Sequence, residues 1–384
     1  MGKDPVMHAA LRHLPALVLK TRPAHLTFFV TRRCNARCPF CFYADARGRR
    51  GGAPELSLDE IRRTAASLGP LLWLLFSGGE PYLREDLGAI GQAFHDANGA
   101  RFITCPTNGL LPETIQETTE ELLRRCPRSV VVVKLSLDGV GADHDAIRGT
   151  PGGFDKLLRT CERLARLARY APRLELGVNT VFSRENQHRM DRIVDFVAGL
   201  DGVRAHTLTM ARGDGAPGTF ADVDLEAYRR ATARVEERWR GRFHRFNGGA
   251  LKAALDRVQH GLVRETLRGG RRPLPCSAGR IAIVLSETGE LWSCEGRRGD
   301  PLGNVRSAGY DVQAVLRFAA ARRARDEIAA GGCGCAHECN LLVDVLSSPR
   351  TYPRLLREWA RLRRGGSATR RAAAGALAPC RTDG

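Results

Sequence analysis

Apolar residues along this chain of 384 residues fall into short continuous runs, separated by longer stretches with helical spacing. His25 to Thr31 reads HLTFFVT and predicts a strand. Ser57 opens S-L-D-E, a capping box with Glu60 that starts a helix. Leu71 to Phe76 is a second apolar run, closed by Ser77-Gly78-Gly79-Glu80-Pro81. A helical pattern follows over Glu85 to Asn98, then a strand over Arg101 to Cys105 and a helix over Pro112 to Arg125. Ser129 to Leu137 (SVVVVKLSL) is the clearest buried strand and ends at Asp138-Gly139. Helix, strand, helix and strand follow over Phe154–Tyr170, Leu174–Phe182, Glu185–Leu200 and Val203–Met210.

Six strands alternating with helices predict an α/β fold with a parallel sheet and crossover helices, and place ligand chemistry at the C-terminal strand ends. Cys34, Gly78, Asn108, Asp138, Asn179 and Arg212 all stand there. Asp214 to Gly218 interrupts the alternation, and two polar helices are expected between Leu225 and Leu267. After Pro273 to Pro275, Arg280–Leu285 and Glu290–Ser293 predict a small hairpin turning at Thr288-Gly289. From about Gly365 the chain is rich in Ala, Arg and Gly and is expected to fray.

Composition narrows the class. Hydrophobic residues make up 43% and charged residues 27%, as in a globular protein, and no run of about 18 apolar residues offers a membrane span. The first twenty residues lack an export signal, so a cytoplasmic location is expected. Formal net charge is +18, carried almost entirely by Arg, since Lys3, Lys20, Lys134, Lys156 and Lys252 are the only lysines. That basicity keeps a non-catalytic, zinc- or Fe–S-containing nucleic-acid-binding protein in view as the alternative. Spread of the Arg residues along the chain favours solvated helix faces over a nucleic-acid footprint.

Twelve cysteines in a chain of this kind point to metal or redox chemistry before disulfides. Cys34-Asn-Ala-Arg-Cys38-Pro-Phe-Cys41 puts three thiols on one short loop. Fe–S clusters usually take four cysteines, so three leave one iron open, as a catalytic site needs. A zinc knuckle with a distant fourth ligand is the other reading of the spacing. Cys276, Cys294, Cys333, Cys335 and Cys339 form a second group around the expected hairpin, while Cys105, Cys126, Cys161 and Cys380 read as core or surface residues.

C-x3-C-x2-C with Phe40 before the last cysteine resembles the signature of the radical S-adenosylmethionine (radical SAM) superfamily. Ser77-Gly78-Gly79-Glu80-Pro81, Ser136-Leu137-Asp138-Gly139 and His144-Asp145-Ala146-Ile147-Arg148-Gly149 resemble further family segments, in the family's order. The resemblance implies a partial (β/α)6 barrel of the TIM type and a [4Fe–4S] cluster on Cys34, Cys38 and Cys41. It also implies S-adenosylmethionine (AdoMet) chelated to the fourth iron. Reductive cleavage of AdoMet would yield a 5′-deoxyadenosyl radical that abstracts hydrogen from substrate, with a flavodoxin or ferredoxin as electron donor. Gly78 and Gly79 would then let backbone approach the methionine portion, and Glu80 or nearby carbonyls would accept from its ammonium. Ser136 and Asp138 would bind ribose, Asn179 or Arg212 the carboxylate, and Phe40 the adenine.

Cys276-x12-Gly289-x4-Cys294 followed by distant cysteines, with Leu302-Gly303-Asn304-Val305 between, resembles the SPASM or twitch extension of such enzymes. The second half departs from it, reading C-x-C-x3-C. The resemblance therefore implies one auxiliary [4Fe–4S] cluster on Cys276, Cys294, Cys339 and one of Cys333 or Cys335, with His337 or zinc as alternatives. The expected organisation is a leader (1–24), a radical SAM core (25–215), a helical connector (216–272), an auxiliary-cluster domain (273–345) and an Arg-rich helix and tail (346–384). Substrate is expected to be a small molecule or a peptide. No catalytic acid or base is assigned; Glu295, Asp214 and His206 qualify by position alone.

Overall fold

The computed structural model describes residues 13–44, 53–212, 222–244, 246, 248–331 and 335–375, with side chains to residue 363. Six strands form as expected: β1 (His25–Thr31), β2 (Trp73–Gly78), β3 (Phe102–Thr107), β4 (Val130–Ser136), β5 (Leu174–Phe182) and β6 (Val203–Met210). Each pairs in parallel with its predecessor, so the strands run in sequence order across the sheet.

The helices, in chain order, are α1 (Leu14–Leu19), α2 (Leu58–Ser67), α3 (Leu87–Asn98), α4 (Pro112–Arg125), α5 (Ala142–Arg148), α6 (Gly153–Tyr170) and α7 (Met190–Gly199). After β6 come α8 (Leu225–Arg238), α9 (Gly249–Gly269), α10 (Val312–Arg317), α11 (Ala319–Ala329), α12 (Glu338–Ser347) and α13 (Tyr352–Gly375). At the start of α2 the capping box is complete: Ser57 Oγ accepts from Glu60 N, and Glu60 Oε2 accepts from Ser57 N at 2.8 Å. Helix α13 runs past Gly365, where fraying is expected from the sequence.

The hairpin after Pro275 does not stand apart. Its first strand, β7 (Ala282–Leu285), pairs in parallel with β1, and β8 (Glu290–Trp292) and β9 (Gly303–Asn304) follow antiparallel. The result is one nine-stranded sheet with β6 and β9 at its edges.

Strand alternation divides the side chains between two environments. Val131, Val133 and Leu135 of β4 join Leu26, Phe28, Leu74, Phe76, Ile103, Leu176 and Val178 in the core shared with the helices. The opposite face looks into the barrel lumen. Its floor is apolar, with Phe102, Val130, Val132 and Ala282 packed around Val343 of α12. Helix α12 thus inserts into the lumen at the floor. Nearer the C-terminal strand ends the lumen side turns polar, and Thr104, Lys134, Ser136, Asn179, Thr207 and Thr209 are only half-buried there.

Candidate functional site

The three-cysteine loop begins where β1 ends, at the C-terminal rim of the lumen. Glu55 sets its first turn: Oε1 accepts from Thr31 Oγ1 at 2.8 Å and from Arg32 N at 2.9 Å. Cys38 is buried, while Cys34 and Cys41 are partly exposed. Two N–H donors face Cys34 Sγ, the Ala36 amide at 3.4 Å and Asn108 Nδ2 at 3.9 Å. Asn108 also donates to Asn35 Oδ1 at 2.7 Å.

Gly78 and Gly79 hold this loop against the end of β2. Gly78 has φ +115°, a region that excludes most side chains. A Cβ on Gly79 would lie 2.0 Å from the Arg33 carbonyl oxygen, and one on Gly78 would lie 2.3 Å from that of Thr31. Those same carbonyls accept from Glu80 N and Gly79 N, each at 2.8 Å. The contact that requires glycine here is backbone of the cysteine loop.

Glu80 is buried, and both carboxylate oxygens are engaged. Oε2 accepts from Asn108 N at 2.8 Å and Oε1 from Tyr82 N at 3.3 Å. It therefore ties the rim loop after β2 to that after β3. Burial pushes its pKa up to about 7 against the pull of the Asn108 amide.

Asp138 is likewise committed inside the protein. Oδ2 accepts from Arg148 Nη1 at 2.6 Å and Oδ1 from Val181 N at 2.7 Å, with the carboxylate fully buried. The Arg148 guanidinium lies 5.9 Å from the centroid of the Phe40 ring. Burial opposes the charge on Arg148, but the nearby sulfur of Cys38, the Asp138 carboxylate and the sulfur of Cys34 outweigh it and raise its pKa. Nothing in the local sequence around Arg148 assigns it this role. Ser136 and Asn179 sit opposite each other across β4 and β5, and Asn179 Nδ2 donates to Thr209 Oγ1 at 3.1 Å.

Among the described residues no three His, Cys, Asp or Glu side chains converge as the ligands of a bound metal do. The donor set still fits a thiolate-held cluster: three thiols on one rim loop, N–H donors toward one sulfur and a guanidinium alongside.

A model of the radical SAM superfamily matches residues 28–197. Residues 28–197 therefore form a radical SAM domain. A pre-heme d1 synthase of Dinoroseobacter shibae is 28% identical over 230 residues, which span 56% of this chain and 52% of that one. The mycofactocin maturase MftC of Mycobacterium tuberculosis is 27% identical over 337 residues, 82% of this chain and 76% of its own. This chain therefore spans about half the length of the first relative and three quarters of the second. The structure of anSMEcpe with bound AdoMet shares the fold, with a TM-score of 0.56 at 16% identity, covering 90% of this chain and 99% of that one.

Beyond that domain the end of β6 meets the cysteine-rich segment. Arg212, expected at the AdoMet carboxylate, is instead paired with Glu295 and lies 3.7 Å from Glu338. It also stands 5.3 Å from the centroid of Phe42. Glu338 Oε1 accepts from Met210 N at 2.7 Å, and His337 Nε2 lies 3.1 Å from Glu295 Oε2. His337 is buried. Burial disfavours charge on Glu295, but Arg212 and His337 outweigh it and hold its carboxyl well below the usual carboxylate range. Its carboxylate is thus a fixed counter-ion. His206 bonds Thr180 Oγ1 at 2.8 Å and packs against Trp239.

Four cysteines of the second group are described. Cys276 packs beside Cys294, Ala278 and Ile328, and Arg272 Nη1 lies 3.6 Å from Cys335 Sγ. Cys339, on the first turn of α12, has Glu295, Arg212, Glu338 and Lys134 as charged neighbours, and burial pushes its thiol up to about 11. Cys333, Asp214 and Cys380 lie outside the described residues. Cys105, Cys126 and Cys161 are buried, as the core reading expects.

Proposed function

We propose that this protein reductively cleaves AdoMet at a [4Fe–4S] cluster on Cys34, Cys38 and Cys41, and abstracts hydrogen from a small molecule or peptide in the barrel lumen. The supporting observation is that the cysteine loop stands on the rim where the polar layer of the lumen opens. Cluster and AdoMet together supply one-electron scission of the sulfonium and a hydrogen-abstracting oxidant.

The protein's residues provide position and shielding. Gly78, Gly79 and Glu80 clamp the cysteine loop to neighbouring rim loops. Arg148 holds the ring of Phe40 and the Asp138 loop in one place. Ser136 and Asn179, half-buried on the lumen side, are left to meet the ribose and carboxylate of AdoMet. Helix α12, with Val343 on the lumen floor, and the Arg212–Glu295 pair at the end of β6 cover part of the lumen and help keep bulk water from the reacting centre.

Cys276, Cys294, Cys339 and one of Cys333 or Cys335 would hold one auxiliary [4Fe–4S] cluster that takes an electron away after abstraction. Cys339 beside Arg212 puts one end of that ligand set at the lumen. A flavodoxin or ferredoxin fits as donor to the first cluster.

Anoxic reconstitution tests the reading. The wild-type protein is expected to hold about eight irons and to form 5′-deoxyadenosine under a strong reductant, as two cubane centres require. Cys34→Ala should halve the iron and abolish 5′-deoxyadenosine. Wild-type turnover by that variant would overturn the assignment.

A further inference from the structure

One cation in the lumen is used by none of this. Lys134 interrupts the apolar run of β4 and points to the lumen side, between the apolar floor at Val132 and the rim residue Ser136. Its Nζ donates to Thr207 Oγ1 of β6 at 2.9 Å, spanning the lumen face of β5. Among the described residues no carboxylate forms an ion pair with it. The titratable groups that face it are Lys252, Asp256, Cys339 and His206. Asp256 is already paired with Lys252, one turn away on α9. Glu295 and Glu338 on the open side are taken by Arg212, His337 and the Met210 amide.

A half-buried ammonium with a hydroxyl as its bonded partner has two N–H directions left and has given up part of its hydration. An anionic ligand group relieves both. Position adds a second argument. Lys134 is two residues, roughly 7 Å of strand, below Ser136 on the same face, and its ammonium reaches up to Thr207, which stands in register with Asn179 and Ser136 just inside the rim. A ligand anchored there by a negative group would present carbon a few bonds away to the rim.

We propose that Lys134, with Thr207, is the anion-anchoring site of the lumen, and that the substrate carries a carboxylate or phosphate seated there. The assignment rests on the lumen being the substrate cavity, as argued above. Lys134 acts as a positioning residue and takes no part in bond making.

The reconstituted full chain with AdoMet serves for the test, with succinate as the carboxylate probe and inorganic phosphate as the phosphate probe, each titrated by calorimetry. Binding of one probe is expected to weaken at least tenfold in Lys134→Met and to recover in Lys134→Arg. Succinate responding alone identifies a carboxylate, and phosphate alone a phosphate. Equal binding of both probes to wild type and Lys134→Met, or no binding, overturns the proposal. Should Lys134→Met fail to fold, the wild-type chain still decides it. With only five lysines, ¹³C-dimethylation gives a sparse spectrum, and the Lys134 signal, assigned by its absence in Lys134→Arg, must move with the probe. Wild-type formation of 5′-deoxyadenosine is read separately. Cleavage without Lys134-dependent anion binding sinks this assignment alone, and anion binding without cleavage sinks the AdoMet reading alone.

Discussion

Arg148 reaches Asp138 Oδ2 at 2.6 Å and at the same time lies 5.9 Å from the centroid of the Phe40 ring. One guanidinium thus joins the segment after β4 to the cysteine loop after β1. Both partners are buried, so removing one strands the other. Arg148→Met is expected to cost about 3–5 kcal/mol of stability, because an uncompensated carboxylate is left inside. Arg148→Met combined with Asp138→Asn should recover much of that loss, since no buried charge remains. Denaturant titration of the two variants, with iron content measured alongside, distinguishes a charge effect from simple loss of packing, in which the double variant would be no better than the single.

Gly79→Ala separates two accounts of the Gly pair. With the Arg33 carbonyl 2.0 Å from the new Cβ, the cysteine loop must move. Iron content and AdoMet affinity are expected to fall together. If the glycine served the cofactor alone, the iron would stay and only AdoMet binding, read by calorimetry, would drop.

Glu80 carries a pH signature. Its folded pKa of about 7 stands above the ordinary 4.5. A carboxyl with a raised folded pKa binds more protons folded than unfolded, so its contribution to stability falls as pH rises from about 4.5 to 7 and stays low above. The span corresponds to about 3 kcal/mol. Glu80→Gln keeps an acceptor oxygen and removes the titration. Stability of wild type relative to this variant, measured by denaturant titration at pH 5 and pH 8, should decline toward pH 8. A constant difference would show that Glu80 is ionised throughout.

Much was legible in the residues themselves. Strands read as such because β-branched and apolar runs leave a parallel strand little choice but burial on both faces. Three cysteines within eight residues stay on one loop in any fold, since chain reach over that spacing is short. Lys134 among four valines was visible as an oddity, but nothing local says whether such a lysine meets a carboxylate across the sheet.

What only the tertiary structure decided were the partners of charged groups and the purpose of small residues. Arg212 looks like an anion receptor until Glu295, 83 residues away, occupies it. Asp138 looks available for ribose until Arg148 and the Val181 amide take both oxygens. The hairpin after Pro275 looks like the start of a separate unit until β7 pairs with β1, about 250 residues earlier in the chain. In each case the outcome depends on which distant group arrives within about 3 Å, and ion pairs, hydrogen bonds and sheet registers all depend on that distance. Periodicity along the chain reports which face of an element is buried. It carries no record of what that face is buried against.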